Sequence, residues 1–361
     1  GDAAQRDVGE QARPRAEQPP GQRRGERLAH RIPGEGRGDG VFVSPGFLAM
    51  DSSGNLYVAD SQGSSIQKFD SNGQFLAKIP VPVKEGGDAR FSTPYGIALD
   101  AAGKIYVTDY LSNRIVVLDA NGEFQFEFGS LGSDEGKLYG PADIAVDNAG
   151  NIYVNIGAPS NSCQERDRQP GSKGLDPCPL LDSAAAIWQF KADKLNQSYP
   201  EGVRYATGIR NVVGLDWNSN TNELYAMQHG RDGFYQMFPE MYDSVESAEL
   251  PAEEFLLVKK GSNFGWPYCY YDQVQQKKVL APEYGGDGQK QARCESMDQP
   301  LIGFPGHWAP NALLFYTGNM FPEKYRNGAF VAFHGSWNRA PLKQKGYNVV
   351  FVPFKDGKPT G

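Results

Sequence analysis

The chain has 361 residues, a formal net charge of −7, 39 % hydrophobic residues and 12 % aromatic residues. This composition supports a substantial hydrophobic core, and the acidic balance argues against nucleic-acid binding, which needs basic surfaces that neutralise phosphates. No apolar run of about 18 residues is present to span a membrane. The 43 glycines and 25 prolines favour short strands joined by turns, so we expect an all-β globular protein with small-molecule partners.

Residues 1–40 differ in composition from the rest of the chain, because they contain no aromatic residue and are rich in Arg, Gln, Gly and Pro. Such a segment buries too little apolar surface to fold. We predict a disordered leader without an assigned function, which includes His30, and a basic tail for an acidic partner is the alternative. The segment lacks the pattern of a signal peptide, and since the chain begins at Gly1, the expected localisation has to rest on other features.

A repeat organises the first half of the chain. The string PGFLAMD at 45–51 is followed by GNLYVAD at 54–60. The pattern recurs at 94–100 with 103–109 and again within 141–156, about 48 residues apart each time. Each unit alternates apolar and polar positions, turns at a glycine and is followed by a further strand, which is the spacing of one four-stranded blade. These units resemble NHL repeats and predict a β-propeller.

Later parts of the chain keep the paired-strand pattern but carry long insertions. The paired strings lie at 213–217 with 223–227 and at 312–316 with 328–333. The insertions 157–185 and 238–300 exceed ordinary loop lengths, which is typical of functional or disordered segments, and we expect them on one face of the propeller. We count about five blades. Because a closed propeller seals its last blade against its first, we expect the last blade to be missing or incomplete in this chain.

All four cysteines lie in these insertions: Cys163, Cys178, Cys269 and Cys294. The even count, the local spacing and the lack of a CxxC pair favour two disulfides, Cys163 with Cys178 and Cys269 with Cys294. Disulfides imply a periplasmic or secreted protein. Four free buried thiols in a cytosolic protein are the alternative.

Five ordered strings follow the third repeat: GAPSNSC at 157–163, ATGIRN at 206–211, NFGWPYC at 263–269, the stretch 306–318, and HGSWNR at 334–339 followed by Gly346-Tyr347. In these strings the chain resembles the PQQ-dependent aldose and sorbosone dehydrogenases, quinoproteins of the glucose/sorbosone dehydrogenase type. The resemblance implies a six-bladed propeller over residues 41–361. NHL-like blades would cover about 41–157, and sorbosone dehydrogenase-like blades about 158–361.

The resemblance also implies an activity and its cofactors. The implied reaction is oxidation of an aldose, sorbosone or a related sugar by PQQ, which lies over one end of the central channel, with Ca²⁺ as the metal that binds the cofactor. The electrons pass to an external acceptor such as a cytochrome or a dye. PQQ is a flat tricarboxylate with an ortho-quinone, so planar guanidinium groups suit its oxygen atoms.

The predicted cofactor contacts follow from the family strings. In the family's Gly-x-Arg-Asn string the arginine and the asparagine approach the quinone, so Arg210 and Asn211 are the main predicted contacts. Arg339 lies near the family's basic residue that pairs with PQQ, and His334 belongs to the same string. Trp337 is predicted to stack on a ring of the cofactor, with packing against a blade edge as the alternative.

The predicted metal ligands lie in the string QHGRD at 228–232. Glucose enzymes of the family carry Glu-His-Gly-Pro there, and the backbone carbonyls of that string hold calcium, a hard cation that prefers oxygen ligands. By this resemblance Gly230 and Arg231 offer carbonyls and Asp232 is an acidic neighbour, while Arg231 is also a predicted cofactor contact. His229 is either part of the site or a packed turn histidine.

The family's base histidine has no counterpart in the corresponding stretch KLYGPADI at 137–144. His307 lies in a string similar to the family's His-x-Ala-Pro stretch at the substrate pocket, and an imidazole there accepts a hydroxyl proton near neutral pH. We therefore predict His307 or Asp143 as the catalytic residue, with Tyr139 as a further substitute and loss of the oxidation as the alternative. The family's last blade carries further cofactor-binding arginines, so a chain ending at Gly361 is expected to bind PQQ weakly.

Two other functions fit the same fold. A non-catalytic NHL-type propeller that binds a protein or a glycan is favoured by the missing base and the regular repeats. A propeller lactonase would need carboxylates that converge on the channel around a divalent metal. Propellers host all three functions, so the fold does not choose between them. The leading hypothesis is the sugar dehydrogenase, with a small-molecule sugar substrate, no nucleic-acid partner and no membrane span.

Overall fold

Short apolar strings between glycine-containing turns form the strands of this protein. In the computed structural model, the described residues are 35–82, 92–129, 138, 140–194, 197, 201–318 and 321–360. These residues contain five β-sheets of four or five strands, a two-stranded hairpin and a few short helices. The all-β propeller predicted from the repeats is confirmed, and the described residues form five of its blades.

The first two blades are regular antiparallel sheets. Blade 1 consists of β1 Pro45–Met50, β2 Leu56–Asp60, β3 Ser65–Phe69 and β4 Phe75–Pro80. Blade 2 consists of β5 Pro94–Leu99, β6 Ile105–Asp109, β7 Arg114–Leu118 and β8 Phe124–Phe128. Met50 pairs with Leu56 and Leu99 pairs with Ile105, so equivalent residues of the two repeats hold equivalent positions.

The inner hairpin of each of the first three blades closes with the same aspartate turn. The aspartate carboxylate accepts the backbone N–H groups two and four residues later, at 2.8–3.0 Å, in Asp51, Asp100 and Asp147. The hydroxyl of the tyrosine six residues later donates to the same carboxylate. The glycine three residues after the aspartate has φ of +71° to +82°, a conformation that costs little only for glycine. The repeat therefore encodes its own turn.

Blades 3 and 4 follow the same antiparallel order. Blade 3 contains β9 Pro141–Val146, β10 Asn151–Ile156, β11 Ala186–Lys191 and β12 Val203–Thr207. Blade 4 contains β13 Val212–Asn218, β14 Glu223–Gln228 and β15 Glu253–Val258. Two short helices, α1 Phe234–Met237 and α2 Ser244–Glu249, connect β14 to β15.

The prediction of residues 238–300 as one long loop insertion is wrong in part, because the segment contains regular structure. Besides β15, it holds β16 Ser262–Asn263, β17 Cys269–Asp272 and β18 Lys277–Leu280. β16 joins the edge of blade 3 in parallel with β12, and β17 and β18 form a hairpin. β19 Ile302–Phe304 then completes blade 4 beside β15. The sequence pattern missed β15 because a long connection separates it from its partner β14.

Blade 5 is the last described blade. It contains β20 Pro310–Phe315, β21 Gly328–Phe333, β22 Asn348–Lys355 and β23 Lys358–Pro359. Single 3₁₀ turns lie in the connections of the second half of the chain: Pro179–Asp182, Pro282–Tyr284, Ala292–Ser296, Glu323–Tyr325 and Trp337–Arg339.

The inner strands of successive blades contact one another in the order β1, β5, β9, β13 and β20. Ile97 and Ile144 on two of these strands are buried. Leu48 and Met50 on β1 are 57 % and 53 % exposed, because no described blade covers that side of blade 1. The described residues thus form five blades with an open face on the first, and a sixth blade is not among them.

Both predicted disulfides are confirmed, Cys163–Cys178 and Cys269–Cys294. Of the predicted leader, residues 35–40 hydrogen-bond with blade 1, where the backbone N–H of Gly40 donates to the side chain of Gln67. Residues 1–34, with His30, lie outside the described residues. Within the described ranges no helix has the length and apolar character needed to cross a membrane.

Candidate active site

Four of the strings that the sequence singled out meet at one end of blades 4 and 5: 206–211, 228–232, 306–318 and 334–339. The backbone N–H of His229 donates to the carbonyl of Asn211, and the N–H of His334 donates to the carbonyl of Ala309. His229 Nε2 lies 2.6 Å from the carbonyl oxygen of Pro310. The strands β14 and β21 end here, and β13 and β20 begin here. The propeller therefore brings together residues that are more than a hundred positions apart.

Asp232 is the centre of this cluster. Its Oδ2 atom accepts hydrogen bonds from Arg168 Nη2 at 2.9 Å and Arg210 Nη2 at 3.2 Å. Its Oδ1 atom accepts one from Asn338 Nδ2 at 2.9 Å and lies 3.7 Å from His307 Nδ1. Burial raises the pKa of Asp232, but the two guanidinium groups outweigh burial and hold that pKa below its usual range. Asp232 is therefore an anion at neutral pH that ties three loops together.

Arg210 lies next to this anion, and Asn211 follows it in the chain and lies against Gly157. The backbone N–H of Arg210 donates to Gln228 Oε1 at 2.7 Å, and Arg210 Nη1 donates to the carbonyl of Gly230 at 2.7 Å. The buried Nε of Arg210 has no hydrogen-bond partner among the described residues. A Cβ atom at Gly157 would overlap the side-chain oxygen of Asn211, so only glycine permits this close approach.

The three histidines have different environments. His307 is buried, and its Nε2 lies 3.0 Å from the carbonyl of Ser247, so this nitrogen carries a proton and Nδ1 faces Asp232. Burial lowers the pKa of His229 to about 4, so this side chain is neutral and donates from Nε2 to Pro310. The His334 side chain is exposed. The part of it that is buried and the nearby His229 both lower its pKa.

Arg231 and Arg339 are engaged within the protein, although both were predicted to contact the quinone. Arg231 Nη1 lies 2.5 Å from Glu283 Oε1, and the guanidinium covers the ring of Phe234. Arg339 pairs with Glu249 and donates to two backbone carbonyls, and it is 1 % exposed. Buried cations need such partners. Both arginines therefore form ion pairs that anchor the loops of the site, and their predicted contact with the quinone stays a prediction.

Trp337 and Asn338 lie on the 3₁₀ turn after β21. The Ser336 hydroxyl accepts the backbone N–H of Asn338 and starts this turn. The ring of Trp337 is 76 % exposed, so it does not pack against a blade edge. An exposed indole beside the cluster is available to stack on a flat ligand, and the predicted stacking stays a prediction.

The predicted calcium site does not fit this arrangement. The carbonyl of Gly230 already accepts a hydrogen bond from Arg210, and both carboxylate oxygens of Asp232 accept hydrogen bonds from side-chain N–H groups. In the part of the chain that the structure describes, no three His, Cys, Asp or Glu side chains gather as metal ligands. A cation at Gly230 would first have to displace the Arg210 guanidinium.

Asp143 lies apart from this cluster, on the inner strand β9. Its carboxylate accepts the N–H of Ile144 at 2.9 Å and that of Leu215 in blade 4 at 2.7 Å. Asp216 makes the equivalent link from blade 4 to blade 5, through the N–H of Phe315. Burial raises the pKa of both aspartates to about 7. Tyr139, the other predicted substitute for the base, lies outside the described residues.

Three residues of the site were not predicted from the sequence: Arg168, Asn161 and Asn338. Arg168 stands inside the Cys163–Cys178 loop, and Asn161 exchanges two hydrogen bonds with the backbone of Asp232. The cysteine spacing predicted that a disulfide closes this loop, but no local feature of the sequence relates the loop to the string at 228–232. Asn338 could have been found, because it stands inside the HGSWNR string.

Solved structures with the same fold include a carbohydrate-active enzyme and an aldose sugar dehydrogenase. The chain matches a family AA12 carbohydrate-active enzyme of Trichoderma reesei with a TM-score of 0.65 and 17 % identity, over 89 % of this chain and 80 % of that one. It matches the PQQ-bound aldose sugar dehydrogenase of Streptomyces coelicolor with a TM-score of 0.51 and 20 % identity, over the same shares of the two chains. At these identities the likeness shows the fold.

Curated proteins match parts of the sequence. The PQQ-dependent pyranose dehydrogenase of Coprinopsis cinerea is 29 % identical over 205 residues, which are 51 % of this chain and 27 % of that protein. An uncharacterised protein of Borreliella burgdorferi is 33 % identical over 135 residues, 37 % of this chain and 31 % of that protein. The chain spans less than a third of the length of either relative.

The fold and these matches define a β-propeller that resembles the PQQ-dependent sugar dehydrogenases, as the strings in the sequence predicted. A family model for the NHL repeat matches residues 42–69, within blade 1. A second family model, described as TrAA12-like, matches residues 180–361, just over half of the chain. The chain belongs to the TrAA12-like family.

Proposed function

We propose that this protein is a quinoprotein oxidoreductase that oxidises an aldose, sorbosone or a related sugar with PQQ and passes the electrons to an external acceptor such as a cytochrome. The observation that carries the proposal is the placement of Arg210, which donates to the anchored Asp232 and to the carbonyl of Gly230 at one end of blades 4 and 5. Relatives named for PQQ dependence support it. The two disulfides support a periplasmic or secreted location.

The residues at this end fit a flat, polyanionic cofactor. Arg210 has a buried Nε without a described partner, and the amide of Asn211 lies on the bare backbone of Gly157. The cavity beneath Arg210 is only about 20 Å³, enough for one water, so the cofactor would lie on the open side. Arg210 and Asn211 would contact its oxygen atoms, with Trp337 and His334 at its border. When bound, the quinone supplies the two-electron oxidant.

We propose His307 as the proton acceptor. Its Nε2 is committed to the carbonyl of Ser247, so Nδ1 is the nitrogen that takes up a proton. Asp232 lies 3.7 Å from Nδ1, and its negative charge stabilises the imidazolium that results. The hydrogen bond from Nε2 to Ser247 and the Asp232 carboxylate near Nδ1 hold the imidazole ring of His307 in one orientation.

Asp143 is the second candidate for the base. Its pKa of about 7 suits proton uptake at neutral pH, and two backbone N–H groups stabilise its charged form. It stands on an inner strand, and its hydrogen bonds connect blades 3 and 4. Substitution at this position therefore tests both a catalytic and a structural role.

No step of this mechanism depends on calcium, because the Arg210 guanidinium already donates to the Gly230 carbonyl that would hold the ion.

To close the ring of blades, we propose a sixth blade beyond the five described ones. The support for it is the exposure of Leu48 and Met50 on β1, which a further blade would bury.

Reconstitution tests the proposed function. Purified full-length protein is titrated with PQQ, binding is followed by absorbance, and dye reduction is measured with glucose and other aldoses. We expect binding and sugar-dependent reduction, and at least about tenfold weaker PQQ binding in Arg210→Lys and Asn211→Ala, because a lysine lacks the planar guanidinium fork. Arg166→Lys, an exposed arginine of the 157–185 insertion, is the matched control. Full-length protein that binds no PQQ would contradict the proposal.

A second comparison identifies the base. His307→Gln is expected to lower kcat by about 10²-fold or more while PQQ binding stays unchanged. Asp143→Asn is expected to keep most of the activity and to change stability instead. The reverse pattern would assign the base to Asp143, and normal activity of both variants would remove both residues from the mechanism.

A further inference from the structure

The opposite end of blades 4 and 5 carries a second pocket that the proposed oxidation does not use. It lies between the turn after β13 and the segments after β20 and β22, at the strand ends remote from His229 and His334. The seven residues of β13 place roughly 20 Å between the two ends. The pocket has a volume of about 360 Å³, which is within the range of small-molecule sites.

Aromatic side chains line one side of this pocket. Phe315 and Phe354 pack edge to face with ring centroids 5.1 Å apart, and Tyr316 follows at the end of β20. The N–H of Phe315 donates to the Asp216 carboxylate at 2.6 Å, which fixes this segment to blade 4. Phe315 is buried, so the half-buried rings of Phe354 and Tyr316 supply the aromatic surface that is open to a ligand. Such rings contact the apolar C–H faces of ring-shaped ligands.

Three asparagines line the pocket: Asn218, Asn220 and Asn327. Asn218 is 4 % exposed, and its Oδ1 accepts the backbone N–H of Asn220 at 3.0 Å, but its Nδ2 has no partner in the part of the chain that the structure describes. Asn327 has φ of +56°, and its carbonyl accepts the N–H of Phe354. Amide groups both donate and accept hydrogen bonds, which is what the hydroxyl groups of a ligand require.

The charges around the pocket cancel. Lys355 and Asp356 are the charged side chains among the described lining residues, and both are exposed. A pocket built from amides and aromatic rings with one charge of each sign favours an uncharged ligand over an anion or a cation. The combination of an aromatic wall with hydrogen-bonding amides is the chemistry that recognises a sugar ring.

We propose that this pocket is a saccharide-binding site for a neutral sugar unit, separate from the redox end of the propeller. It would hold the protein on a carbohydrate while the other end remains open to its substrate. The proposal does not depend on the oxidation, since it concerns different residues at a different end of the blades.

Titration calorimetry without quinone tests the site, with cellobiose, maltose and a soluble neutral β-glucan as probes and glucuronate as the charged comparison. We expect binding of at least one neutral probe and no comparable binding of glucuronate. Asn220→Ala combined with Asn327→Gly is expected to weaken that binding at least about tenfold, because two hydrogen-bonding amides are lost. Glycine at 327 retains the left-handed backbone.

Asn222→Gly is the matched control. Asn222 also has a left-handed backbone, with φ of +54°, and lies in the same turn outside the pocket lining. Neutral-sugar binding that survives Asn220→Ala with Asn327→Gly but is lost in Asn211→Ala would place the sugar at the redox end and overturn the proposal. Absence of binding for all three neutral probes would overturn it as well, whatever the outcome of the PQQ titration.

Discussion

The polar contacts of blades 1 and 2 differ in kind from those of blades 4 and 5. The former lie within single turns, and the latter join distant segments of the chain. In blade 2, Asp100 accepts hydrogen bonds from residues two, four and six positions later, so the turn satisfies its own polar groups. In blade 4, Arg231 pairs with Glu283, and Ser162 donates to the same carboxylate from 121 positions away. Locally closed blades form a scaffold, whereas long-range polar contacts gather side chains from distant segments into a site.

The largest expected effect comes from breaking the long-range type of contact. Glu283→Ala leaves the buried Arg231 guanidinium unpaired, so we expect a loss of about 3–5 kcal/mol in the free energy of unfolding. The control is Lys194→Gln, which removes an exposed ion pair with Glu201 and should cost less than about 1 kcal/mol. Urea unfolding followed by tryptophan fluorescence measures both. Equal small losses would show that the buried pair contributes no more than a surface pair.

The second prediction concerns the disulfide Cys163–Cys178 in the 157–185 insertion. Cys163→Ser with Cys178→Ser removes a cross-link between residues 15 positions apart, and we expect a loss of about 3 kcal/mol. The same loop carries Arg168, so PQQ binding should weaken together with stability. Glu165→Gln, a change at an exposed carboxylate of the same loop, serves as the control in which the disulfide remains. Unchanged urea midpoints in the double variant would show that the fold holds the loop without its disulfide.

A third prediction uses the aspartates that join blades 3, 4 and 5. Folding raises the pKa of Asp143 and Asp216 from 3.8 to about 7, so the folded state retains protons that the unfolded state has lost. Their contribution to stability is full below about pH 4 and is lost as the pH rises through about 7. We expect the midpoint of thermal unfolding to fall as the pH rises through this window.

Asp143→Asn is expected to flatten this pH dependence, whereas Asp182→Asn, an exposed carboxyl of the 157–185 insertion, should leave it unchanged. Thermal unfolding monitored by circular dichroism across the same pH range provides the measurement. A wild-type protein that gains stability as the pH rises from about 5 to about 8 would contradict the assignment.

The smallest effect is expected in the regular blades. Asp100→Ala removes the acceptor of two backbone N–H groups and of the Tyr106 hydroxyl in one turn, which should cost about 1 kcal/mol. Asp100→Asn retains an oxygen for the backbone donors and should cost less. Urea unfolding compares the two variants directly. A loss as large as that of Glu283→Ala would remove the contrast between local and long-range contacts.

The repeated blades of the first half of the chain could be predicted from the sequence alone. The repeat, the aspartate turn and the alternation of apolar residues are local signals, and each closes its hydrogen bonds within a few positions, so β1 to β10 could be predicted with their turns. The two disulfides were also predictable, because even, locally spaced cysteines in insertions have few ways to pair. The strings around Arg210, His307 and His334 were found in the sequence because their residue types are unusual together.

The contacts that these strings make could be read only from the folded chain. Arg231 pairs with the buried Glu283, and the buried Arg339 pairs with the half-buried Glu249. Arg210 donates to the Gly230 carbonyl, and Arg168 joins Asp232 from another loop. The folded chain also places β15 and β16 within the predicted insertion. The physical reason is that a charged side chain takes whichever partner the packed blades bring close. Closeness between segments a hundred residues apart has no local signature in the sequence.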